Sequence, residues 1–307
     1  MAGEWPTVRK CRGLGMKLVR FGPPGRERPG IWVEEEDGSA AILDVTAVAF
    51  DIHEYDSHFF THWGLERLRG IRDEHPAARI PADGVRLGPP VPPPTNLVCV
   101  GLNYASHAAE LGLSLPKEPL LFAKAPTAVI GPSDPILLPR AARVDFEVEL
   151  AIVLSRPCHR VAAEDARNYI AGYTILNDLT DRWKQQGVSQ WYLAKSHPGF
   201  CPLGPWLVTA DELDFPPRVR LSSWLNGETF QHSDTSDMIF PPAEIVSYAS
   251  FHLRLNAGDI ISTGTPAGIG SRRSPAVFLN PGDHLRLEIE GLGVQENRVV
   301  ADSSVPG

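Results

Sequence analysis

Val144-Asp-Phe-Glu-Val-Glu-Leu-Ala-Ile-Val-Leu154 is the stretch on which the reading of this chain turns. Phe146, Val148 and Leu150 alternate with Glu147 and Glu149 in a run of strand formers. A side-chain period of two predicts a strand with apolar groups on one face and two carboxylates on the other. Like charges side by side repel, and a cation is the simplest partner that holds both. A second β-type run, Tyr173-Thr-Ile-Leu176, leads into Asn177-Asp178-Leu179, so Asp178 offers a third oxygen. Three carboxylates suit a hard divalent ion. An edge strand that turns Glu147 and Glu149 to solvent explains the same alternation without an ion.

The 307-residue chain can bury a substantial core, as one large domain or two smaller ones. Hydrophobic residues at 43% and charged residues at 21% fit a globular protein and exclude extended disorder. A net charge of -8 and a pI near 5.7 argue against nucleic acid or an anionic membrane as the main partner. A small-molecule substrate is the expectation. No apolar run has the length of a membrane span, and the N-terminus lacks the basic-then-apolar order of a secretory signal, which predicts a cytoplasmic protein. Cys11, Cys99, Cys158 and Cys201 are scattered without zinc or disulfide spacing, so they are expected to be reduced and structural.

Residues 1–15 have no period and form an expected flexible extension. Residues 16–90 form an expected small N-terminal domain of strands and a helix. Its strands are Lys17–Phe21, Gly30–Val33 and Ala40–Val45, and Leu65, Leu68 and Ile71 stand at helical spacing in Gly64–Ile71. Val85–Thr95 holds five prolines and cannot join a central sheet, which places the boundary there. Residues 91–307 then form the main domain. Asn96–Val100 reads as a buried strand and Tyr104–Leu111 as a short helix, with His107 and Glu110 on one face. Strands dominate beyond Ile136, interrupted by expected helices at Glu164–Ile170 and Ala243–Leu253. Many strands without strand–helix alternation predict a mixed, β-rich α+β fold. Gly264-Thr-Pro-Ala-Gly-Ile-Gly270 lacks the lysine of a phosphate loop and the helix of a dinucleotide fingerprint.

From Asn96 to Val299 the chain resembles the fumarylacetoacetate hydrolase family, in particular its acylpyruvate and 2,4-diketo-acid hydrolase branch. The resemblance rests on ordered motifs: Val100-Gly-Leu-Asn-Tyr-Ala-Ser-His107, Asp145-Phe-Glu-Val-Glu-Leu150, Asn177-Asp-Leu-Thr180, Ala194-Lys-Ser196, Cys201-Pro-Leu-Gly-Pro-Trp206, Asn226-Gly-Glu228 and Thr263-Gly-Thr-Pro-Ala-Gly-Ile-Gly270. It implies a β-sandwich or roll, usually dimeric, with one Mg2+ or Mn2+ on Glu147, Glu149 and Asp178. That ion would chelate the pyruvoyl end of a keto acid. It further implies that Glu110 holds His107 as a general base for water and that Lys195 stabilises developing negative charge. Arg182, Gln185 and Thr265 resemble substrate contacts.

The implied reaction is hydrolysis of a carbon–carbon bond in a 2,4-dioxo acid to pyruvate and a carboxylic acid. Oxaloacetate decarboxylation and 2-hydroxy-dienoate isomerisation need the same stabilised enolate and remain alternatives. A third reading is a metal- or ligand-binding module without catalysis, which departures from the family pattern keep open. These are Leu102, Asp181, Trp183 and the run Ser196-His-Pro-Gly-Phe200. Trp183, if directed into the pocket, would favour an apolar or ring-bearing acyl group.

Overall fold

The computed structural model describes residues 15–72, 74–188 and 190–303. Almost all of the expected N-terminal extension, with Cys11, lies outside the described residues. As expected, the fold is mixed and β-rich, with short helices around its sheets.

The largest sheet has eleven strands. The glutamate strand, Val148–Leu154, lies in its interior between Ile170–Asn177 and Ile260–Ser262, antiparallel to both. Every residue of Val148–Leu154 is buried, so the solvated-edge explanation fails. Its alternation instead separates two cores. Val148, Leu150, Ile152 and Leu154 belong to one apolar cluster, whereas Ala151 and Val153 belong to another on the opposite face. A five-stranded sheet, which includes Arg220–Leu225, His284–Ile289 and Gly293–Ala301, supplies Leu221, Leu287, Ile289 and Val299 to the first cluster. Phe59, Leu65 and Leu68 from the helices Ser57–Thr61 and Gly64–Ile71 contribute to the second.

The predicted N-terminal strands are present and continue the same large sheet. Lys17 pairs with Val208 and Leu18 with Leu207, so the ladder crosses the proline-rich stretch to a strand nearly two hundred positions away in sequence. The helix Gly64–Ile71 buries Leu65 and Leu68 and leaves Arg67 exposed, where it pairs with Asp51. Ala105–Leu111 forms as expected and is closed by Gly112 at φ 68°, a left-handed position that suits glycine. Pro242–His252 begins with proline inside its first turn. The expected helix at Glu164–Ile170 is a 3-10 segment, Ala163–Tyr169, because Ile170 already enters the next strand.

Candidate active site

The antiparallel register sets Glu147 opposite Asp178, whose backbone N–H donates to the Glu147 carbonyl at 2.9 Å. Opposed residues share a face in such a pair, so the two carboxylates converge and Glu149 joins them two residues along. Glu147 is 5% exposed, Glu149 2% and Asp178 0%. One oxygen from each lies within 4.8 Å of the others. Three buried carboxylates this close repel strongly unless compensated.

Three cations compensate most of that charge. Lys195 Nζ donates to Glu147 Oε2 at 2.9 Å, to Asp178 Oδ2 at 2.5 Å and to Thr180 Oγ1 at 2.8 Å. Lys124, buried to its tip, donates to Asp178 Oδ1 at 2.6 Å and to the Leu179 carbonyl at 3.2 Å. Arg182 reaches Glu147 with Nη2 and Asp145 Oδ2 with Nε at 3.1 Å. Burial opposes the charge on Glu147, yet Lys195, Arg182 and His107 outweigh it and hold the carboxyl below its usual range. Burial likewise disfavours the Lys195 ammonium, but Asp178 and Glu147 raise its pKa above the ordinary lysine value.

Glu149 differs. Among the described residues it has no ion-pair partner; Ser262 Oγ donates to it, and so does the Gly264 N–H at 3.1 Å. Burial first, then Asp178 and Glu147, push its carboxyl well above the usual range. Oxygen-only ligation and this uncompensated carboxylate together fit a divalent ion at Glu147, Glu149 and Asp178.

On the helix Ala105–Leu111, His107 Nδ1 donates to Glu110 Oε2 at 2.9 Å. A carboxylate only accepts, so Nδ1 carries the hydrogen and Nε2 keeps its lone pair. Glu110 Oε1 in turn accepts the Gly268 N–H at 2.8 Å. The glycine loop therefore fixes the dyad. Gly268 has φ +104°, and a Cβ there would lie 2.2 Å from the Phe230 carbonyl oxygen. Gly268→Ala is expected to cost at least about 2 kcal/mol in urea denaturation, since both strain and a backbone clash oppose it. It should also slow the reaction by loosening Glu110.

These groups meet at a cavity of about 320 Å3. His107, Glu147, Glu149, Asp178, Arg182, Gln185, Lys195 and Thr265 all line it, and Glu110 stands behind His107 without lining it. Their bonding refines the expected roles. All three Lys195 protons go to protein oxygens, so in this arrangement it positions carboxylates and contributes charge. Thr265 Oγ1 donates to the Val148 carbonyl at 2.9 Å and accepts from Gln231 Nε2 at 2.6 Å, which leaves no proton for a substrate carboxylate. Gln185 Oε1 accepts from Arg182 Nη1 at 2.9 Å.

Trp183 does not line the cavity. It is 61% exposed, with the Arg143 guanidinium 5.3 Å from its ring centroid, so the ring-bearing specificity tied to it has no support. Asp181 is structural: its Oδ1 accepts the Trp183 N–H at 3.0 Å at the start of the helix Arg182–Val188. Leu102, at φ 54°, does line the cavity. Lys124, Asp145, Thr180 and Ser262 received no role from the sequence. For Asp145 a signal existed, since it precedes Glu147 and Glu149 at the same spacing of two.

The family model for fumarylacetoacetate (FAA) hydrolase C-terminal matches residues 96–300. Over 302 residues the chain is 37% identical to the mitochondrial oxaloacetate tautomerase Fahd2a of Rattus norvegicus, covering 94% of this chain and 93% of that protein. The crystal structure of 2-hydroxyhepta-2,4-diene-1,7-dioate isomerase from Mycobacterium marinum matches with a TM-score of 0.74 and 35% identity, over 94% of this chain and 100% of the other. Maleylpyruvate hydrolase from Sphingobium sp. SYK-6, solved with manganese(II) and pyruvate, matches at 0.76 and 32% identity, over 93% and 99%.

Proposed function

The chain belongs to the fumarylacetoacetate hydrolase family, and from that premise we propose that it is a divalent-metal-dependent enzyme that hydrolyses a carbon–carbon bond in a 2,4-dioxo acid. The products are pyruvate and a carboxylic acid. The observation that carries this reading is His107, oriented by Glu110, on the wall of the cavity that the three carboxylates also line. A base so oriented can take a proton from water, the step that hydrolysis requires.

A Mg2+ or Mn2+ ion on Glu147, Glu149 and Asp178 supplies Lewis-acid stabilisation of enolate charge. The chain's own residues do the rest. Glu110 fixes the imidazole so that Nε2 takes a proton from water. The hydroxide adds to the distal carbonyl carbon, C4. The C3–C4 bond then breaks, its electron pair passes to C3 as the pyruvate enolate, and His107 returns the proton to C3. Lys195 and Arg182 hold Glu147 and Asp178 in place throughout and add positive potential.

Identity with an oxaloacetate tautomerase supports a second reading, in which the same residues move a proton between C3 and the enol oxygen without water attack. A panel of acylpyruvates, oxaloacetate and 2-hydroxy-dienoates separates the two. Pyruvate release that stops on chelation and returns with Mn2+ is the expected result. Full turnover by the chelated enzyme would overturn the metal role, and enol–keto exchange without pyruvate release would select the tautomerase.

The raised pKa of Glu149 gives this reading a sign in pH. Below that pKa the carboxyl keeps a proton that an ion must displace, so Mn2+ affinity is expected to rise with pH and binding to release a proton. The metal-free fold, by the same linkage, loses the Glu149 contribution as pH rises above the unfolded carboxyl value, because the native state then holds the extra proton. Manganese titrations across the acidic-to-neutral range, with proton release followed in weak buffer, check both; affinity independent of pH would refute the assignment of Glu149.

A further inference from the structure

Between the two glutamates the strand changes partner. Ser262 faces Ala151 and the Thr263 N–H still donates to the Leu150 carbonyl at 3.0 Å, but the chain then turns off into the glycine loop. On that side the backbone of Val148 is met by side chains instead. Gln231 Oε1 accepts the Val148 N–H at 3.0 Å, and Thr265 Oγ1 donates to the Val148 carbonyl at 2.9 Å. Gln231 Nε2 donates to that same Oγ1 at 2.6 Å, which closes a ring of three hydrogen bonds around one residue of the strand. The rest of the Gln231 amide is also engaged: its second N–H reaches the Pro266 carbonyl at 2.9 Å, and Oε1 takes the Ser223 hydroxyl at 3.0 Å. Two donors and two acceptor sites are all that an amide has, and here every one is used.

The ring fixes where two of the carboxylates start. The Val148 N–H belongs to the peptide plane that begins at the Glu147 Cα, and the Val148 carbonyl to the plane that ends at the Glu149 Cα. Holding both planes sets the directions in which the two side chains leave the strand. At Glu147 the carboxylate is also gripped at its tip, by Lys195 and Arg182. Glu149 receives the Ser262 hydroxyl and the Gly264 N–H instead, so its direction depends more on its backbone. Gln231 is 0% exposed and sits in Glu228–Asp234 of the five-stranded sheet, opposite Ser223. The ring therefore ties the glutamate strand to a second sheet, through a group whose loss leaves buried backbone atoms unpaired.

We propose that Gln231 is a positioning residue for the metal carboxylates, one that does not line the cavity and acts through the Val148 peptides on the spacing of Glu147 and Glu149; this rests on the three carboxylates being a metal site. Calorimetric titration of the full, metal-free chain with Mn2+ tests it, together with the electron paramagnetic resonance spectrum of the bound ion. Gln231→Met is expected to weaken Mn2+ binding about ten- to a hundredfold, the usual loss when a group that orients a ligand is removed, and to alter the spectrum. Thr265→Val breaks the same ring at its hydroxyl and should weaken binding in the same sense. Because one ring is lost either way, the double variant should bind about as weakly as the weaker of the two single ones. Gln295→Met is the control: this buried glutamine of the same sheet reaches the Ile175 and Gly204 carbonyls, neither of which lines the cavity. It should leave Mn2+ affinity unchanged whatever it costs in melting temperature.

Wild-type affinity and an unchanged spectrum in Gln231→Met overturn the inference, as do losses that add in the double variant or an equal loss in Gln295→Met. Should Gln231→Met not fold, Thr265→Val carries the test, and wild-type affinity there overturns the inference too. Other outcomes bear on the reading beneath it. Weakened Mn2+ binding in Gln231→Met, beside a wild type that binds the ion but releases no pyruvate from any acylpyruvate, sinks the hydrolase alone. A wild type that does not bind Mn2+ sinks both.

Discussion

His107→Gln is expected to lower kcat for pyruvate release by about two to four orders of magnitude, the usual loss when a positioned general base is removed. The glutamine amide can still donate toward Glu110, so the 2.9 Å contact has a substitute and the helix Ala105–Leu111 keeps its anchor. Stability should change little, and a melting temperature close to the wild type's separates the kinetic effect from unfolding. Manganese affinity should stay within a small factor, because the ion is proposed to rest on Glu147, Glu149 and Asp178 and not on His107. Its positive charge, where present, favours the Glu147 carboxylate only behind Lys195 and Arg182. The variant also discriminates between reaction classes. If the imidazole serves only water attack, exchange of the C3 hydrogen with solvent persists while hydrolysis stops. If both fall together, His107 is the proton carrier for the enol as well. Unchanged pyruvate release would remove the dyad from the mechanism.

The largest effect on stability is expected at Lys124. Its side chain is fully buried against Asp178, itself 0% exposed, so the pair is little screened by solvent. Removing one partner of a buried ion pair typically costs about 3–5 kcal/mol, because the other charge is left without compensation. Asp178 keeps Lys195 at 2.5 Å, which places Lys124→Met at the lower end of that range. Urea denaturation of the metal-free protein measures the loss. Lys124→Met combined with Asp178→Asn should recover part of it, since the second change removes the orphaned charge; additive costs would mean that the two side chains are not coupled. Saturating Mn2+ should also narrow the gap between Lys124→Met and wild type if the ion supplies charge to the same carboxylate.

The acidic half of the site was legible in local pattern, whereas in the basic half Lys195 and Arg182 came only through the family resemblance and Lys124 not at all. Glu147 and Glu149 declare themselves through a period of two within one strand, and Asp178 through its place after a second β run. Lys124 ends the run Leu120-Leu-Phe-Ala-Lys124, where a lysine resembles any solvated strand terminus. Only the nonlocal approach of Asp178, across 54 positions, buries it. Trp183 failed for the related reason that a helix begins at Arg182 and sets the direction of the next side chain, which composition does not reveal. Asp145 extends the acidic period one step back, but its pairing with Arg182 and with the N–H groups of Gly270 and Ser271 is nonlocal and leaves no mark in the run itself. At the level of the fold, strand positions followed from local pattern. The join between Lys17–Phe21 and Leu207–Thr209 did not, since pairing partners so distant leave no local trace.

The register of Val148–Leu154 against Ile170–Asn177 also dictates where the chain tolerates changes of length. Val148 faces Asn177 and Glu149 faces Leu176, so one residue inserted within either strand would turn a carboxylate from the cavity into the apolar core behind it. The connection between them, residues 155–169, carries neither ligands nor cavity wall. It does bury Cys158, Val161 and Ala166 in the first apolar cluster, so changes of length fit only between those anchors, at exposed positions such as Arg156 and Pro157. A peptide tag placed between Arg156 and Pro157 should leave turnover intact, whereas a single alanine inserted after Leu150 should abolish it.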